Sequence, residues 1–311
     1  MRMLILSPNQ IARYNWGHQL FRNEIGKLHD VEYYGEGYSG WDPNLTVKEI
    51  IRKIYMSRAI PQIILTYGWR YSRSFRGFDE VRNIPHVHIS VDYVEKKGRF
   101  PGTIDRQAGF FNYIKPDIVF GVTAHAVNNL KRDNVCDRVY MLPFSVDTNI
   151  YRQIPNTNKV IDVLAAFTVR DDVYPNRKRV LKLLESMREL RILTRRVIRL
   201  RLIKAINSSK MIITSNNIYN SLSMRYTETL SCGGFLLADR PDDFDRLGFI
   251  DGRHLVLYKD MKDLRDKIQY YLKHDREREQ IGKKGMEFVR KYHSCERRVK
   301  EFIRIVKREL F

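Results

Sequence analysis

Residues Met224 to Asp239 read MRYTETLSCGGFLLAD, and this stretch decides how the second half of the chain folds. The pattern predicts a helix that ends at Gly233 and Gly234, because glycine adopts the left-handed conformation at a helix C-terminus without steric cost. The apolar run from Phe235 to Ala238 then predicts a short strand covered on both faces. A helix that leads into a buried strand is a building unit of an α/β protein.

Arg225 and Glu228 are the charged side chains of this helix. We expect Glu228 to lie in the first turn, where a carboxylate beside an arginine suits a ligand that carries hydroxyl and phosphate groups. The alternative is a capping glutamate with an ion-pair partner. The residues of this short motif do not distinguish the two.

The first half of the chain alternates short apolar runs with segments of helical periodicity. One helix is expected to begin at Thr46, because Glu49 three residues later completes a capping box. Alternating strands and helices imply parallel pairing with right-handed crossovers, so we predict an α/β protein with doubly wound parallel sheets. The predicted strands of the first half are Met3–Ser7, Val31–Tyr34, Gln62–Thr66, His86–Val91, Asp117–Gly121 and Arg138–Leu142.

The segment PFSVDTNIYRQIP, from Pro143 to Pro155, interrupts the alternation, which restarts after it. We interpret this segment as a linker, which predicts domains at 1–146 and 147–294. Residues 74–82 and 242–247 are expected to be short helices, and residues 195–206 fit a helix better than a strand because of their length.

The charge balance is the unusual feature of the composition. The chain has 311 residues, of which 43% are hydrophobic and 30% charged, as in a globular protein large enough for two domains. Its 56 Lys and Arg against 36 Asp and Glu give a net charge of +20. Such a charge attracts nucleic acid, anionic lipid and phosphorylated substrates. Residues 177–204 include eleven basic residues and only two acidic ones. This excess favours an anionic surface as partner and predicts peripheral membrane contact.

The cysteines and the apolar runs indicate the compartment. Three scattered cysteines without a CxxC spacing predict neither a zinc site nor a disulfide framework. No apolar run approaches the roughly 20 residues of a transmembrane helix, and the apolar core Met3–Leu6 is too short for a secretory signal. We therefore expect a protein of the reducing cytoplasm, peripheral at most to the inner face of a membrane. Asp243-Phe-Asp245 is formally a DxD motif, but acids are also typical of a helix start, so no metal is expected.

Ligands of open α/β sheets bind beyond the carboxyl ends of the strands, which directs attention to four loops. Gly17 lies in the first, where a helix start favours a phosphate. Asp92 follows the strand that carries His88, and both are candidate catalytic residues, although the histidine also fits an interior position. Arg170 and Arg177 are suited to clamp a diphosphate. The fourth loop, 215–223, is polar and offers Asn220, Ser221 and Ser223 before the helix of Arg225 and Glu228.

Four passages together resemble the GT-B glycosyltransferases, in particular the family 4-like "group 1" enzymes and their spore-maturation-protein branch. They are Ile118-Val-Phe-Gly-Val-Thr with the later Tyr140-Met-Leu-Pro-Phe-Ser-Val-Asp-Thr-Asn-Ile-Tyr151, then Tyr174-Pro-Asn-Arg177, then Arg225-Tyr-Thr-Glu228-Thr-Leu-Ser-Cys-Gly-Gly-Phe-Leu-Leu, and last Leu255-Val-Leu-Tyr-Lys-Asp-Met-Lys-Asp-Leu. The resemblance is strongest from about residue 117 to the C-terminus. It implies two Rossmann-like domains that face each other across a cleft, with residues 295–311 packing back onto the first.

The resemblance also implies an activity. The enzyme would move a sugar from a UDP- or GDP-sugar, bound by residues 147–294, to a hydroxyl of an acceptor bound by residues 1–146. Glu228 would hold the donor ribose, Arg177 and Arg170 its diphosphate, and Asp92 would face the reacting sugar. Such enzymes usually retain the anomeric configuration and need no metal or other cofactor, because fixed positive charge stabilises the leaving diphosphate. Asn220 departs from the pattern, since many members carry a glutamate there.

The acceptor and the class of activity stay open at this point. An anionic or membrane-associated glycan or lipid is the favoured acceptor. The charge also fits a DNA-modifying glucosyltransferase that acts on hydroxymethylated bases, an activity found on the same fold. A third hypothesis is a non-catalytic nucleic-acid-binding protein, because a fold does not settle an activity.

Overall fold

The computed structural model describes residues 1–10, 16–56, 58–95 and 103–311. These residues divide into two compact units. Residues 1–95, 103–143 and 298–311 form the first unit, and residues 144–297 form the second.

The first unit is built on a six-stranded sheet in which all strands are parallel. The strand order is β2-β1-β3-β4-β5-β6. The strands are β1 (Arg2–Leu6), β2 (Asp30–Tyr34), β3 (Ile63–Tyr67), β4 (His86–Ser90), β5 (Ile118–Gly121) and β6 (Val139–Met141). The central strands β3 to β5 are buried along their whole length, because helices cover both faces of a parallel sheet.

Five helices and one 3-10 turn connect these strands among the described residues. The predicted capping box is confirmed: the Thr46 side chain accepts from the Glu49 backbone N–H, and the Glu49 side chain accepts from the Thr46 backbone N–H. The elements are α1 (Trp16–Leu28), α2 (Val47–Ile54), α3 (Trp69–Ser72), a 3-10 turn (Phe78–Val81), α4 (Ile104–Ile114) and α5 (Ala124–Arg132).

The second unit contains a five-stranded parallel sheet with the order β11-β10-β9-β7-β8. Its strands are β7 (Ile161–Leu164), β8 (Ile192–Leu193), β9 (Ser209–Thr214), β10 (Leu236–Ala238) and β11 (Val256–Leu257). Its helices are α6 (Pro175–Glu185), α7 (Arg199–Asn207), α8 (Met224–Ser231), α9 (Met261–Lys273) and α10 (Asp275–Tyr292), while α11 (Cys295–Leu310) leads into the first unit. The predicted α/β class with doubly wound parallel sheets is confirmed.

Three local predictions differ from the structure. Residues 242–247 form successive turns instead of a helix, because their backbone N–H groups mix bonds to the third and the fourth preceding residue, as Phe244 to Pro241 and Leu247 to Asp243. Residues 74–82 contain only the 3-10 turn, because Gly77 at φ +81° interrupts the helical pattern. In the basic segment the helix begins at Arg199, four residues later than predicted, and a strand of two residues precedes it.

The segment after Pro143 is packed onto the second unit over much of its length. Val146 forms a bridge with Ser294, and Tyr151 is 3% exposed. The Ser231 hydroxyl donates to the Tyr151 carbonyl oxygen at 2.5 Å. These contacts place the Tyr151 ring beside helix α8, which carries Glu228.

Candidate functional site

The sheet of the second unit has its switch point between β7 and β9. From β7 the chain crosses to β8 on one side, and β9 lies on the other, so the loops after β7 and β9 leave a crevice at the carboxyl edge. Arg177, in the first turns of α6, spans this point. Its guanidinium donates to the Thr168 carbonyl oxygen at 2.9 Å and to the Ser215 carbonyl oxygen at 3.2 Å.

Arg177 is a fixed and largely buried positive charge. Its side chain is 6% exposed, and its guanidinium lies over the Tyr174 ring at 3.4 Å and the Phe167 ring at 5.1 Å. Burial lowers the pKa of Arg177 to about 10, so the group stays protonated at neutral pH. Carbonyl oxygens and aromatic rings hold the cation without cancelling its charge. An anion at this edge would therefore meet a positive charge that the nearby Asp239 carboxylate offsets only in part.

Asp239 is a carboxylate at the same edge that the sequence analysis did not single out. It follows β10 and accepts hydrogen bonds from the Ser215 hydroxyl at 2.9 Å and the Asn216 backbone N–H at 2.8 Å. The Tyr226 hydroxyl donates to its carbonyl oxygen at 2.6 Å. Burial raises the pKa of Asp239, and these donors oppose that effect. Asp239 thus ties the loop after β9 to β10.

Glu228 lies on α8, but not in its first turn. It is the fifth residue of a helix that begins at Met224, so the expected position in the first turn is wrong. Of the alternative, a capping glutamate with an ion-pair partner, the structure shows the ion pair but not the position of a cap. The Tyr151 hydroxyl donates to its Oε1 at 2.9 Å, and Arg225 forms an ion pair with its Oε2 at 3.2 Å. Burial, followed by the charge of Glu228, raises the pKa of Tyr151, which keeps the phenol protonated as a donor.

Arg225 and Arg170 occupy different surroundings. Arg225 donates to the Ala166 carbonyl oxygen at 3.2 Å, so it lies beside the loop that follows β7. Arg170 belongs to that loop but is exposed and paired with Asp172 at 2.8 Å. The loop lines an open depression of about 650 Å³, together with Lys178 of α6. Arg225 is therefore held in place, whereas an anion must replace a carboxylate to reach Arg170.

The loop before α8 carries three further candidates, Asn220, Ser221 and Ser223. Asn220 takes a φ of +49°, and its side chain joins Asn216 at 2.9 Å to Asp242 at 2.6 Å, which identifies a turn-forming role. The Ser221 hydroxyl donates to the Tyr219 carbonyl oxygen. Ser223 is the N-cap residue of α8, and in the described part of the chain its buried Oγ has no hydrogen-bond partner.

In the first unit, Asp92 is a carboxylate with altered acidity. It lies just beyond the carboxyl end of β4, and Gln107 donates to its carbonyl oxygen. Burial raises the pKa of Asp92 to about 6, against the opposing charge of Arg70. A carboxyl group that titrates near neutrality at the carboxyl edge of a sheet is a candidate for proton transfer.

His88 lies in the core of the first unit, where a ligand does not reach it. It is 0% exposed, its Nδ1 shares the Thr66 hydroxyl with His86, and its ring packs edge-on against Phe110 and Phe111. Burial lowers the pKa of His88 well below its ordinary value. Of the two readings of this histidine, the structure favours the interior one, because the side chain points into the sheet face that α4 covers.

Gly17 is the second residue of α1, at the carboxyl edge of β1, and is partly exposed. Trp16 directly before it is described, and the next described residue towards the N-terminus is Gln10. Among the residues that the structure describes, no group of three or more His, Cys, Asp or Glu side chains is arranged to hold a metal ion. In the same residues, no helix is long and apolar enough to cross a bilayer.

The fold is shared with solved glycosyltransferase structures. An "alpha-glucosyltransferase in complex with UDP and a 13-mer DNA containing a HMU base" superposes with a TM-score of 0.68 and 11% identity, covering 99% of both chains. A glycosyltransferase from Rickettsia africae ESF-5 superposes with a TM-score of 0.66 and 13% identity. Sucrose-phosphate synthase from Thermosynechococcus elongatus superposes with a TM-score of 0.64 and 11% identity. Each alignment covers 99% of this chain and 98% of the other chain. No protein of curated function matches by sequence.

These likenesses establish the GT-B fold. Residues 177–304 also match a family model described as "Glycosyl transferase-like", which begins at Arg177 and includes Glu228. The chain therefore has the GT-B fold, and its residues 177–304 are similar to the glycosyltransferases of this family model, in agreement with the sequence resemblance. Its placement in the family 4-like branch stays a prediction.

Two residues of the site were missed from the sequence. Tyr151 stands in the segment interpreted as a linker, and only the packing of that segment reveals its bond to Glu228. Asp239 ends the quoted stretch, directly after the buried strand, so its position at the carboxyl edge was a signal that could have been used.

Proposed function

We propose that this protein transfers a sugar from a nucleoside diphosphate sugar to an acceptor hydroxyl. The observation that carries the proposal is the pairing of a fixed cation and a fixed carboxylate at one sheet edge: Arg177 at the switch point and Glu228 held by Tyr151 and Arg225. A cation suits a diphosphate, and a carboxylate with two oriented oxygens suits the two hydroxyls of a ribose.

This geometry supports a set of donor contacts. Glu228 accepts hydrogen bonds from the ribose hydroxyls, while Arg177 and Arg225 stabilise the diphosphate. The N-terminus of α8, with the buried Ser223 hydroxyl that has no partner among the described residues, adds backbone N–H groups and a partial positive charge. Arg170 joins the diphosphate contacts once Asp172 releases it.

In the reaction, the bond between the anomeric carbon and the diphosphate oxygen breaks, and the diphosphate leaves with the electron pair. The acceptor oxygen forms the new bond to that carbon and loses its proton. Positive charge at the sheet edge stabilises the leaving diphosphate, which is physically sufficient for a transfer without a metal ion. We propose that the transfer retains the anomeric configuration. Asp92 interacts with the reacting sugar, and its elevated pKa suits a group that holds or releases a proton near neutral pH.

The decisive experiment compares donor binding in Glu228→Gln and in Glu287→Gln, an exposed control on α10. Calorimetric titration with UDP-glucose and GDP-glucose should show binding in the wild type and in the control. We expect at least about tenfold weaker donor binding in Glu228→Gln, because removing the negative charge of the Glu228 carboxylate removes charge-assisted hydrogen bonds to the ribose. Equal affinity in both variants, or no binding and no donor hydrolysis in the wild type, would contradict the proposal.

An anionic acceptor, such as a membrane-associated glycan or lipid, is the favoured acceptor. The support is the net charge of +20 and the exposed basic residues between 177 and 204. Transfer to acceptors in anionic vesicles should exceed transfer to the same acceptors in neutral vesicles. The same basic residues would provide peripheral membrane contact.

DNA carrying hydroxymethylated bases is the second candidate acceptor. It is favoured by the TM-score of 0.68 to a structure of an alpha-glucosyltransferase with DNA, together with the positive charge. Transfer of labelled glucose to hydroxymethylated duplex DNA, with steeply salt-dependent binding, would support it. Salt-dependent DNA binding without sugar transfer to any acceptor would instead support a non-catalytic nucleic-acid-binding protein.

A further inference from the structure

A basic pocket lies at the amino edge of the second sheet, opposite the proposed donor site. Lys159 precedes β7, Lys210 is the second residue of β9, and Phe235 precedes β10. Arg177, in contrast, contacts the loops at the carboxyl ends of β7 and β9. Strand β9 has six residues, so the two edges are about 20 Å apart at a rise of about 3.3 Å per residue. The pocket is therefore separate from the donor site.

The pocket is a recess of about 320 Å³ with a charged rim and an apolar wall. Helix α10 supplies Arg278, Glu279, Lys283 and Met286 to one side. This helix packs closely on the end of α8: a Cβ at Gly282 would lie 2.7 Å from the Gly233 carbonyl oxygen. The remaining lining residues are Gln153, Lys159, Lys210, Gly233 and Phe235.

Positive charge dominates the recess. Four cations line it against one carboxylate, Glu279. Two of the cations have acidic partners outside the lining: Lys210 pairs with Asp162 at 2.9 Å, and Arg278 pairs with Asp275 at 2.7 Å. Asp162 also binds Arg191, so five cations against three carboxylates still leave an excess of two.

The two other cations have no carboxylate partner at ion-pair distance within the described residues. Lys159 donates to the Asn207 carbonyl oxygen at 2.8 Å, and Lys283 is exposed at the rim. Burial lowers the pKa of Lys159, and the charge of Arg278 lowers it further, while Glu279 opposes both. Cations around a recess repel each other, so an anion that enters the recess lowers the electrostatic free energy.

We propose that this recess is a second ligand site, which binds a small molecule carrying a phosphate or diphosphate group. The cations meet the oxyanion, and Phe235 and Met286 provide an apolar wall for the carbon part of the ligand. A volume of about 320 Å³ matches a compact metabolite and excludes a duplex. The site does not depend on sugar transfer by the opposite edge of the sheet.

The test is a calorimetric titration of the full chain with inorganic pyrophosphate, repeated with saturating UDP. Lys283→Glu is the informative variant, and Lys284→Glu is its matched control, because Lys284 is exposed on the same helix but does not line the recess. We expect pyrophosphate binding to weaken about tenfold in Lys283→Glu and less than about twofold in the control, since a charge outside the site is largely screened. UDP should leave the affinity unchanged.

Three results would overturn the site: no binding of pyrophosphate, equal losses in the two lysine variants, or complete displacement by UDP. Lys283→Gln provides a second, milder variant, for which we expect an intermediate loss. Because the contrast between Lys283 and Lys284 is measured without a donor, failure of the sugar-transfer proposal would leave this test intact. Loss of UDP binding with retained pyrophosphate binding would identify that case.

Discussion

At the scale of single residues, the proposed site combines a cation held by neutral groups, Arg177, with a carboxylate, Glu228, that a phenol and an arginine orient. Arg177 is surrounded by carbonyl oxygens and aromatic rings, and a phenol provides one of the two bonds to Glu228. A neutral donor such as Tyr151 orients a carboxylate but leaves its negative charge available to a ligand. This arrangement favours ligand binding over the stability of the fold, because the carboxylate keeps charge that a ligand can use.

Tyr151→Phe tests whether the phenol positions Glu228. We expect a loss of stability of about 1 kcal/mol, because one hydrogen bond to a partly buried carboxylate is removed. UDP-sugar affinity should also fall by about threefold to tenfold, as Glu228 gains rotational freedom. Tyr33→Phe is the control, since its hydroxyl donates to the Arg22 carbonyl oxygen in the first unit. The positioning role is refuted if both variants bind the donor equally well.

Asp92 makes stability depend on pH. Its pKa is about 6 in the folded protein against an ordinary value of 3.8, because burial disfavours the charged form. Between these values the folded state keeps a proton that the unfolded state has lost. The contribution of Asp92 is therefore fully present below about pH 4 and is lost as the pH rises through about 6.

Asp92→Asn should remove this pH dependence. The free energy of unfolding of the variant minus that of the wild type should be about 1 to 2 kcal/mol larger at pH 7.5 than at pH 4. This value is smaller than the free energy that corresponds to the whole pKa shift, because Asp92 is partly exposed and solvent screens its charge. Denaturant unfolding at both pH values measures the difference. Asp137→Asn, at an exposed position, should show no such trend. Parallel stability profiles for Asp92→Asn and the wild type would contradict the burial of this carboxyl group.

At the scale of elements, glycines permit the close packing of α8 and α10. A Cβ at Gly285 would lie 2.3 Å from the His254 carbonyl oxygen and 2.8 Å from the Leu230 side chain. A Cβ at Gly282 would approach the backbone just after α8. The backbones of α8 and α10 are therefore in close contact. This contact fixes the C-terminal end of α8, beside the basic pocket, and so supports the helix that carries Glu228.

Gly285→Ala should destabilise the protein by about 2 kcal/mol or more, because a backbone carbonyl cannot yield as a flexible side chain can. Gly109→Ala in α4 is the control in a second helix, where an added Cβ meets nothing within 4 Å. It should stabilise by about 0.5 to 1 kcal/mol, since alanine favours helix over glycine. Thermal unfolding of the two variants measures the contrast. A neutral Gly285→Ala would show that the two helices can separate at small cost.

At the scale of the whole molecule, the net charge of +20 is unevenly distributed along the chain. Residues 177–204 carry eleven basic and two acidic residues, and many of the basic ones are exposed. Their positive field acts over about 8 to 10 Å at physiological ionic strength, which is enough to concentrate an anionic partner near this surface.

A triple substitution tests whether this segment is the surface that binds polyanions. Arg188, Arg195 and Arg201 are exposed and, when changed to Ala, should lower the salt concentration that elutes the protein from heparin. Each lost contact should reduce the slope of log affinity against log salt by about 0.7 to 0.9 for a nucleic acid. The control changes Lys262, Arg276 and Lys284, which removes the same charge elsewhere in the second unit. Equal shifts in both triple variants would show that net charge alone governs binding.

Much of the fold was predictable because its signals are local. Alternating apolar runs and helices indicated parallel sheets, and Thr46 with Glu49 marked a helix start that the structure confirms. A prediction failed where glycine backbone conformation decided the outcome, as at Gly77. The short edge strand Ile192–Leu193 gains its stability from pairing with β7, which a local pattern does not encode.

By itself, the sequence determined the class of fold, the arrangement of strands and helices and the charge, because hydrophobic periodicity, capping and composition act over a few residues or over the whole chain. Tertiary structure alone decided which polar residues meet. Glu228 lies 77 positions from Tyr151, and Arg177 lies 38 from Ser215. It also decided that His88 lies inside the sheet layer, while Lys159 and Lys283 come together at the far edge. Contacts between residues distant in sequence depend on the register and packing of whole elements, which no local pattern encodes.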